Sequence, residues 1–135
     1  MSRAEAEKAL GKKLRLQSAD PSTLSECANA SSPDRNASYM FQKFRVVRVD
    51  VGKKGITTPE GLGVGSPEDA LRSAYGARAR FTAHPYGNGN GPNDWHYVSI
   101  HLSAERDLLF ETDGKRVTSF RVGLPQAVSL IEGCS

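Results

Sequence analysis

The pattern of apolar and polar positions is most regular in the second half of the chain, where it predicts β-strands. Between residues 96 and 103, Val98, Ile100 and Leu102 alternate with polar side chains, the period of two expected of a strand with one buried face. Asp113-Gly114 separates two further apolar runs, which is typical of a hairpin turn. We therefore predict an antiparallel meander of four strands, at residues 78–84, 96–103, 106–111 and 116–122.

A longer period marks a helix before this meander. In residues 67–75, Leu71 and Tyr75 fall on one face together with two alanines, the stripe of a helix that packs on a sheet. Ser66 is placed to cap the N-terminus, with proline at the first helical position, and Gly76 follows the C-terminus. These signals predict a helix of two to three turns.

A similar unit occurs earlier in the chain. Residues 2–11 repeat the order of residues 66–76: a serine, an acid three residues later, and a closing glycine. Each glycine is followed by a short extended stretch, and a strand at 44–49 precedes a turn in the first half. The period of about 65 residues is too long for ordinary solenoid repeats, so we predict a duplicated unit with halves near 1–55 and 56–135.

These elements predict one domain, residues 1–135, of the α+β class, in which two related halves each pack a helix on antiparallel strands. Chance similarity between two amphipathic helices is the alternative to duplication. Residues 17–38, rich in Ser, Asp, Asn and Pro, are predicted to be loop. The predicted core consists of apolar residues from the helices and strands: Leu10, Leu71, Tyr75, Val98, Ile100, Leu109, Phe110, Val117 and Phe120.

The two cysteines, Cys27 and Cys134, predict a disulfide that ties the C-terminal tail to the first half. A penultimate cysteine has no evident packing role unless a bond holds it. The bond would close a loop of about 106 residues, worth roughly 4 to 5 kcal/mol in the chain-entropy model. Because disulfides persist in oxidising compartments, we expect a periplasmic or secreted protein in its mature form, without a leader. Two unrelated thiols in a cytosolic protein are the alternative.

The charge and the apolar runs exclude two classes of partner. The net charge is +3, spread over the chain, with no run of five basic residues and no interleaved aromatics. We therefore expect no nucleic-acid partner. No stretch approaches the ~18 consecutive apolar residues of a membrane span, so the mature form is not expected to span a membrane.

The histidines do not predict a metal or catalytic centre. His96 and His101 lie five residues apart on a predicted strand and so point to opposite faces, and His84 lies elsewhere. We expect no metal and no cofactor, and we assign no catalytic residue, because no triad follows from spacing. A small envelope hydrolase that works through one of these histidines is an alternative. Four carboxylates fall near predicted turns and are not expected to pair across a cleft: Glu105, Asp107, Glu111 and Asp113.

Residues 85–95, Pro-Tyr-Gly-Asn-Gly-Asn-Gly-Pro-Asn-Asp-Trp, form the most unusual local sequence. This stretch is unsuited to helix or strand and is long for a meander connection. Aromatic residues beside an adaptable polar loop are typical of protein-recognition surfaces. A tip with both aromatics packed onto the sheet is the alternative. The predicted binding loop comprises Tyr86, Asn88, Asn90, Asn93, Asp94 and Trp95.

The two helix signatures also carry a family resemblance. Residues 1–11 and 63–76 resemble the helical signature of the BamE/SmpA-type envelope lipoproteins, and their tandem occurrence resembles the β-lactamase inhibitory protein architecture. The resemblance implies helices on an antiparallel sheet, a place in or outside the bacterial envelope, and action by binding another protein. We therefore expect an inhibitor, an immunity-type protein or an envelope assembly factor. A carbohydrate- or peptidoglycan-binding module that uses Tyr86 and Trp95 is an alternative.

Overall fold

The computed structural model describes residues 1–16, 27–87, 94–131 and 134. These residues form one eight-stranded antiparallel sheet and a few short helices, 44% strand and 20% helix. The elements in chain order are α1 (Arg3–Leu10), β1 (Arg15–Leu16), β2 (Cys27–Ser31), β3 (Ala37–Gln42), β4 (Arg45–Val51), α2 (Glu68–Tyr75), a 3₁₀ helix (Gly76–Arg78), β5 (Arg80–Ala83), β6 (His96–Ser103), β7 (Arg106–Thr112), β8 (Val117–Gly123) and α3 (Pro125–Val128).

The sheet is continuous and has the strand order β1-β2-β3-β4-β8-β7-β6-β5. One group of four strands follows α1 and the other follows α2. The two groups meet where β4 pairs with β8, over the register from Arg48↔Gly123 to Val51↔Phe120. β5 and β1 therefore lie at opposite ends of the sheet.

The predicted fold class, an α+β domain of two helix-on-strand halves, is wrong because the sheet dominates the structure. The helices have eight residues or fewer, and α1 buries only Ala6. Leu10, predicted for the core, is 38% exposed. The periodicity located the helices, but such short and polar helices cover little of the sheet that the strands build.

The first sheet half also contains a strand that the sequence analysis missed. Within the predicted loop 17–38, Cys27–Ser31 is β2, and β3 begins at Ala37; residues 17–26 lie outside the described residues. The sequence of β2, Cys-Ala-Asn-Ala-Ser, has little intrinsic preference for strand. It is a strand because it pairs with β3 along its whole length and buries Ala28 and Ala30.

The elements predicted for the second half are confirmed, as is the helix at residues 2–11. The helix predicted at 67–75 is α2, and the four predicted strands are β5 to β8, in antiparallel order. In α1, the Ser2 hydroxyl accepts from the Glu5 amide, and the Glu5 carboxylate accepts from the Ser2 amide. The cap predicted for α2 is wrong, because Pro67 is its N-cap and the Ser66 hydroxyl accepts from the Gly63 amide.

The main core lies between the sheet and the helices α1 and α2. We call the sheet face on this side the inner face and the opposite one the outer face. Ala6 from α1, with Leu71 and Tyr75 from α2, joins the strand residues of this core. Eight of the nine residues predicted for the core are buried: Leu71, Tyr75, Val98, Ile100, Leu109, Phe110, Val117 and Phe120.

A smaller cluster covers part of the outer face. Met40, Val47 and Ala127 form it, so that α3 lies against the sheet there. The predicted disulfide is confirmed: Cys27 is bonded to Cys134, and both pack against this cluster. The bond fixes residue 134, after α3, to β2.

Candidate functional site

The site is built on the outer face of β5, β6 and β7, where the sheet register sets the neighbours. Tyr97 pairs with Thr82 on one side and with Glu111 on the other, and Glu111 pairs with Ser119. Because directly paired residues in an antiparallel sheet share a face, these side chains form one row across the strands. His84 continues β5, since its amide donates to the carbonyl of Trp95 at 3.1 Å.

His84 is buried beside this row, and both of its ring nitrogens form hydrogen bonds. Its Nδ1 accepts a hydrogen bond from the backbone amide of Tyr86 at 3.0 Å, so the ring proton must be on Nε2. Nε2 then donates to Oε1 of Glu111 at 2.5 Å. The imidazole is thereby fixed as one neutral tautomer, with no lone pair left for an incoming group.

Glu111 is equally engaged. Its Oε2 accepts from the Ser119 hydroxyl and from Nη1 of Arg121, each at 3.2 Å. Arg121 is buried, and its Nε donates to the carbonyl of Val128 at 2.7 Å. A continuous set of polar contacts therefore joins the end of β5 to β7, β8 and α3.

Three aromatic rings surround His84. The ring centroids of Tyr97, Trp95 and Tyr86 lie 4.7, 5.6 and 5.8 Å from that of His84. Tyr86 is 59% exposed and Trp95 is 47% exposed. We call these two residues the Tyr86–Trp95 surface; it rests on a base in which both His84 ring nitrogens and both Glu111 carboxylate oxygens are hydrogen-bonded.

The structure brings together the two ends of the predicted binding loop. Asp94 accepts from the Trp95 amide, and its carboxylate lies close to Gly87, where an added Cβ would come within 3.0 Å of Oδ1. Tyr86, Asp94 and Trp95 are thus neighbours at the end of β5. The remaining predicted loop residues, Asn88, Asn90 and Asn93, lie outside the described residues.

The sequence analysis missed the polar base of this site. Glu111 and Asp107 were predicted to lie near turns and not to pair across a cleft, whereas Glu111 binds His84 and Asp107 binds His101. The signal was the alternation of β6 and β7, which puts Tyr97 and Glu111 on one face. The register that pairs Tyr97 with Glu111 could not be predicted from this alternation alone.

A second histidine–carboxylate pair lies on the inner face, at the start of α2. Oε1 of Glu68 accepts from His96 Nδ1 at 2.7 Å and from the Thr112 hydroxyl at 2.5 Å, and all three residues are buried. The Arg72 guanidinium lies 3.7 Å from the other Glu68 oxygen and 4.2 Å from the Phe81 ring centroid. The pair borders a cavity of about 350 Å³. The Glu68 carboxylate already has a counter-charge in Arg72, and its hydrogen bonds to His96 and Thr112 attach α2 to the sheet.

The third pair, His101 with Asp107, is on the surface. Nδ1 of His101 lies 2.6 Å from the Asp107 carboxylate, and the imidazole is mostly exposed. Among the described residues, no three His, Cys, Asp or Glu side chains are grouped to hold a metal ion. None of the helices in the described ranges is long and apolar enough to cross a membrane.

Comparisons with known proteins add no relative. No protein-family model matches the sequence, no curated protein is significantly similar, and no solved structure matches.

Proposed function

We propose that this chain is a protein-binding domain that works in the periplasm or outside the cell, with the Tyr86–Trp95 surface as its contact site. The observation that carries this proposal is the exposure of both aromatic side chains, 59% and 47%, on a base fixed by hydrogen bonds. Aromatic side chains held in this way lose little conformational entropy on binding, and they are enriched among the residues that dominate interface energies.

The hydrogen bonding of the base favours binding over catalysis at this site. A general base needs a lone pair that can reach the proton it removes. In His84 the Nδ1 lone pair is taken by the Tyr86 amide, and both oxygens of Glu111 are hydrogen-bonded. The role of these groups is to hold the aromatic residues in position.

The shape of the surface favours a macromolecular partner. Tyr86 and Trp95 are exposed side chains outside the linings of the cavities of about 290, 350, 430 and 540 Å³ that lie elsewhere on the described part of the chain. Small molecules bind in concave sites that bury most of their surface, whereas protein partners bind to broad, nearly flat areas.

The Cys27–Cys134 disulfide is compatible with a place outside the cytoplasm and supports the periplasmic or secreted location. The resemblance of the tandem helix signatures to the β-lactamase inhibitory protein architecture supports an inhibitor or immunity-type role. An envelope assembly factor is the other role that agrees with the resemblance. In each of these roles the partner is another protein.

The test compares three forms of the protein as bait for the envelope and secreted fractions of the native organism. Wild type is used beside Tyr86→Ala/Trp95→Ala and a control, Phe44→Ala/Ile131→Ala, which removes side chains of matching exposure, 55% and 47%. We expect wild type and the control to capture a partner that the Tyr86→Ala/Trp95→Ala variant loses. Because Trp95 is the only tryptophan, its fluorescence then reports binding of the purified partner directly.

Two results would contradict the proposal. Capture of the same partners by all three forms would remove the Tyr86–Trp95 surface from the function. A change in Trp95 emission on addition of soluble peptidoglycan fragments, without any protein partner, would instead support the carbohydrate-binding module.

A further inference from the structure

β5 lies at the end of the sheet, and no residue in the described ranges pairs with its far edge. The His84 amide donates to the carbonyl of Trp95, the residue before β6, so the backbone groups of residue 84 face the β6 side. In an antiparallel ladder, alternate residues direct their N–H and C=O groups to opposite sides. The backbone groups of Phe81 and Ala83 therefore point away from β6.

Three features that commonly block an edge strand are missing from β5. Such strands are commonly protected by proline, by a β-bulge or by a charged side chain that points inward. β5 has no proline, its register with β6 is regular, and its inner-face side chains are Phe81 and Ala83. At the opposite end of the described sheet, β1 has two residues and offers too little backbone for another strand.

The two ends of β5 differ in chemistry. At its start, Arg78 and Arg80 are exposed, and neither forms an ion pair with another described residue. At its end, His84 leads into the Tyr86–Trp95 surface. Arg80 and His84 are four residues apart on the outer face, a distance of about 13 Å along a strand.

We propose that β5 accepts an extended segment of a protein partner as an additional antiparallel strand. The segment carries a large apolar side chain that packs against the Tyr86–Trp95 surface and, four residues later, an acidic side chain beside Arg80. The backbone of Phe81 and Ala83 supplies the hydrogen bonds, and the two side chains supply specificity, as in other cases of strand addition. This inference rests on the proposed function and specifies the partner's binding segment.

The charges favour such a segment over a second copy of the chain. Two β5 strands paired antiparallel through Phe81 and Ala83 would place Arg80 of each copy opposite His84 of the other, with no acidic side chain in β5 to pair with either arginine. An acidic side chain in a partner segment complements Arg80 instead.

The probe is a blocked peptide, acetyl-Thr-Leu-Thr-Val-Thr-Glu-Thr-amide, whose leucine and glutamate lie four residues apart on one face. One control peptide exchanges the glutamate with the threonine before it, which moves the acid to the other face. A second control is N-methylated at the two central threonines, which are the residues that would pair with Phe81 and Ala83. Binding is followed by amide NMR shifts of the protein and by Trp95 fluorescence.

We expect the first peptide to shift the amide signals of Phe81 and Ala83 and to change Trp95 emission, and both controls to bind about tenfold more weakly. Ala83→Pro removes a donor from the unpaired edge only, a place where proline is tolerated, and should also weaken binding about tenfold. Thr82→Ala, which leaves the edge donors in place, is the matched control. Arg80→Glu should reverse the preference, so that a lysine in place of the peptide glutamate binds better.

No binding of the first peptide to wild type at millimolar concentration would overturn the inference, as would equal binding of the N-methylated peptide or self-association through β5. The N-methylated peptide keeps the test valid if Ala83→Pro fails to fold. Capture of the partner by these variants distinguishes the edge inference from the proposed function. If Tyr86→Ala/Trp95→Ala loses it and Ala83→Pro keeps it, the edge inference fails and the proposed function stands. If Tyr86→Ala/Trp95→Ala keeps it, the proposed function fails.

Discussion

At the scale of single residues, His84 takes its role from two hydrogen bonds, one with the backbone amide of Tyr86 and one with Glu111 on β7. The Tyr86 amide fixes the tautomer, and the Glu111 carboxylate accepts a hydrogen bond from the Nε2–H of the ring. The aromatic members of the site, Tyr86 and Trp95, could be identified in the sequence because they flank an unusual glycine- and asparagine-rich segment. Glu111 could not, since its contact depends on the register between β6 and β7.

Replacement of Glu111 by glutamine should weaken the fold. Glu111→Gln leaves the buried Arg121 guanidinium without its counter-charge, although the Val128 carbonyl still accepts from it. We expect the free energy of unfolding to fall by about 2 kcal/mol, measured by urea denaturation. Glu105→Gln, at an exposed turn, is the control and should change little. Equal urea midpoints for Glu111→Gln and wild type would show that the network does not stabilise the fold.

Gly123 is required by a close approach of two strands. A Cβ on Gly123 would lie 2.1 Å from the Val47 carbonyl oxygen and 2.7 Å from the Arg48 Cα, both backbone atoms that cannot move independently. Gly123→Ala should therefore cost about 3 kcal/mol or more of stability, measured as a shift in thermal or urea unfolding. Gly52→Ala, where nothing lies within 4 Å of the added Cβ, is the control. Similar stabilities for the two variants would contradict the close packing of β4 on β8.

Asp34 should make the stability depend on acid pH. Hydrogen bonds from the Ser32 hydroxyl and the Asn36 amide, together with the Lys12 ammonium, hold the pKa of Asp34 well below its usual value of 3.8. Because the folded-state pKa is lowered, the stabilisation is present above pH 3.8 and is lost as the pH falls below it. Asp34→Asn should show a shallower loss of stability than wild type between neutral pH and about pH 2. Asp69→Asn is the control, and parallel pH curves for wild type and Asp34→Asn would contradict this assignment.

At the scale of elements, periodicity identified the helices and the meander of the second half, where apolar side chains alternate strongly. It failed for β2, whose small and polar residues become a strand through their pairing with β3. The N-cap of α2 was also misplaced, since the Ser66 hydroxyl bonds to the Gly63 amide of the preceding turn. In both cases a contact outside the local sequence outweighs the local preference.

The attachment of α2 to the sheet can be tested with two adjacent acids. Glu68→Ala leaves the buried Thr112 hydroxyl and His96 without their shared acceptor, so we expect a loss of about 2 to 3 kcal/mol. Asp69→Ala, in the same helical turn but with a side chain 94% exposed, should lose much less. Urea denaturation of both variants gives the comparison. Equal losses would mean that helix propensity, rather than the buried contacts, accounts for the effect.

At the scale of the whole molecule, the two four-strand groups are joined by the short β4–β8 ladder and by one covalent bond. Cys27 lies on β2 in the first group, and Cys134 follows α3 at the end of the second. The sequence predicted this bond from the position of the penultimate cysteine. It did not predict the continuous sheet, because the pairing of β4 with β8 joins strands that are far apart in the chain.

Removal of the disulfide should therefore have the largest effect on stability. The bond spans a sequence separation of 107, and a loop of this length is worth about 4 to 5 kcal/mol in the chain-entropy model. Cys27→Ser/Cys134→Ser should lose this amount in urea denaturation, and wild type under reducing conditions should match it. Under reducing conditions the variant itself should not change further, which separates loss of the bond from effects of the reductant. A loss below about 1 kcal/mol would mean that the β4–β8 ladder and the outer-face cluster hold the two groups together without the bond.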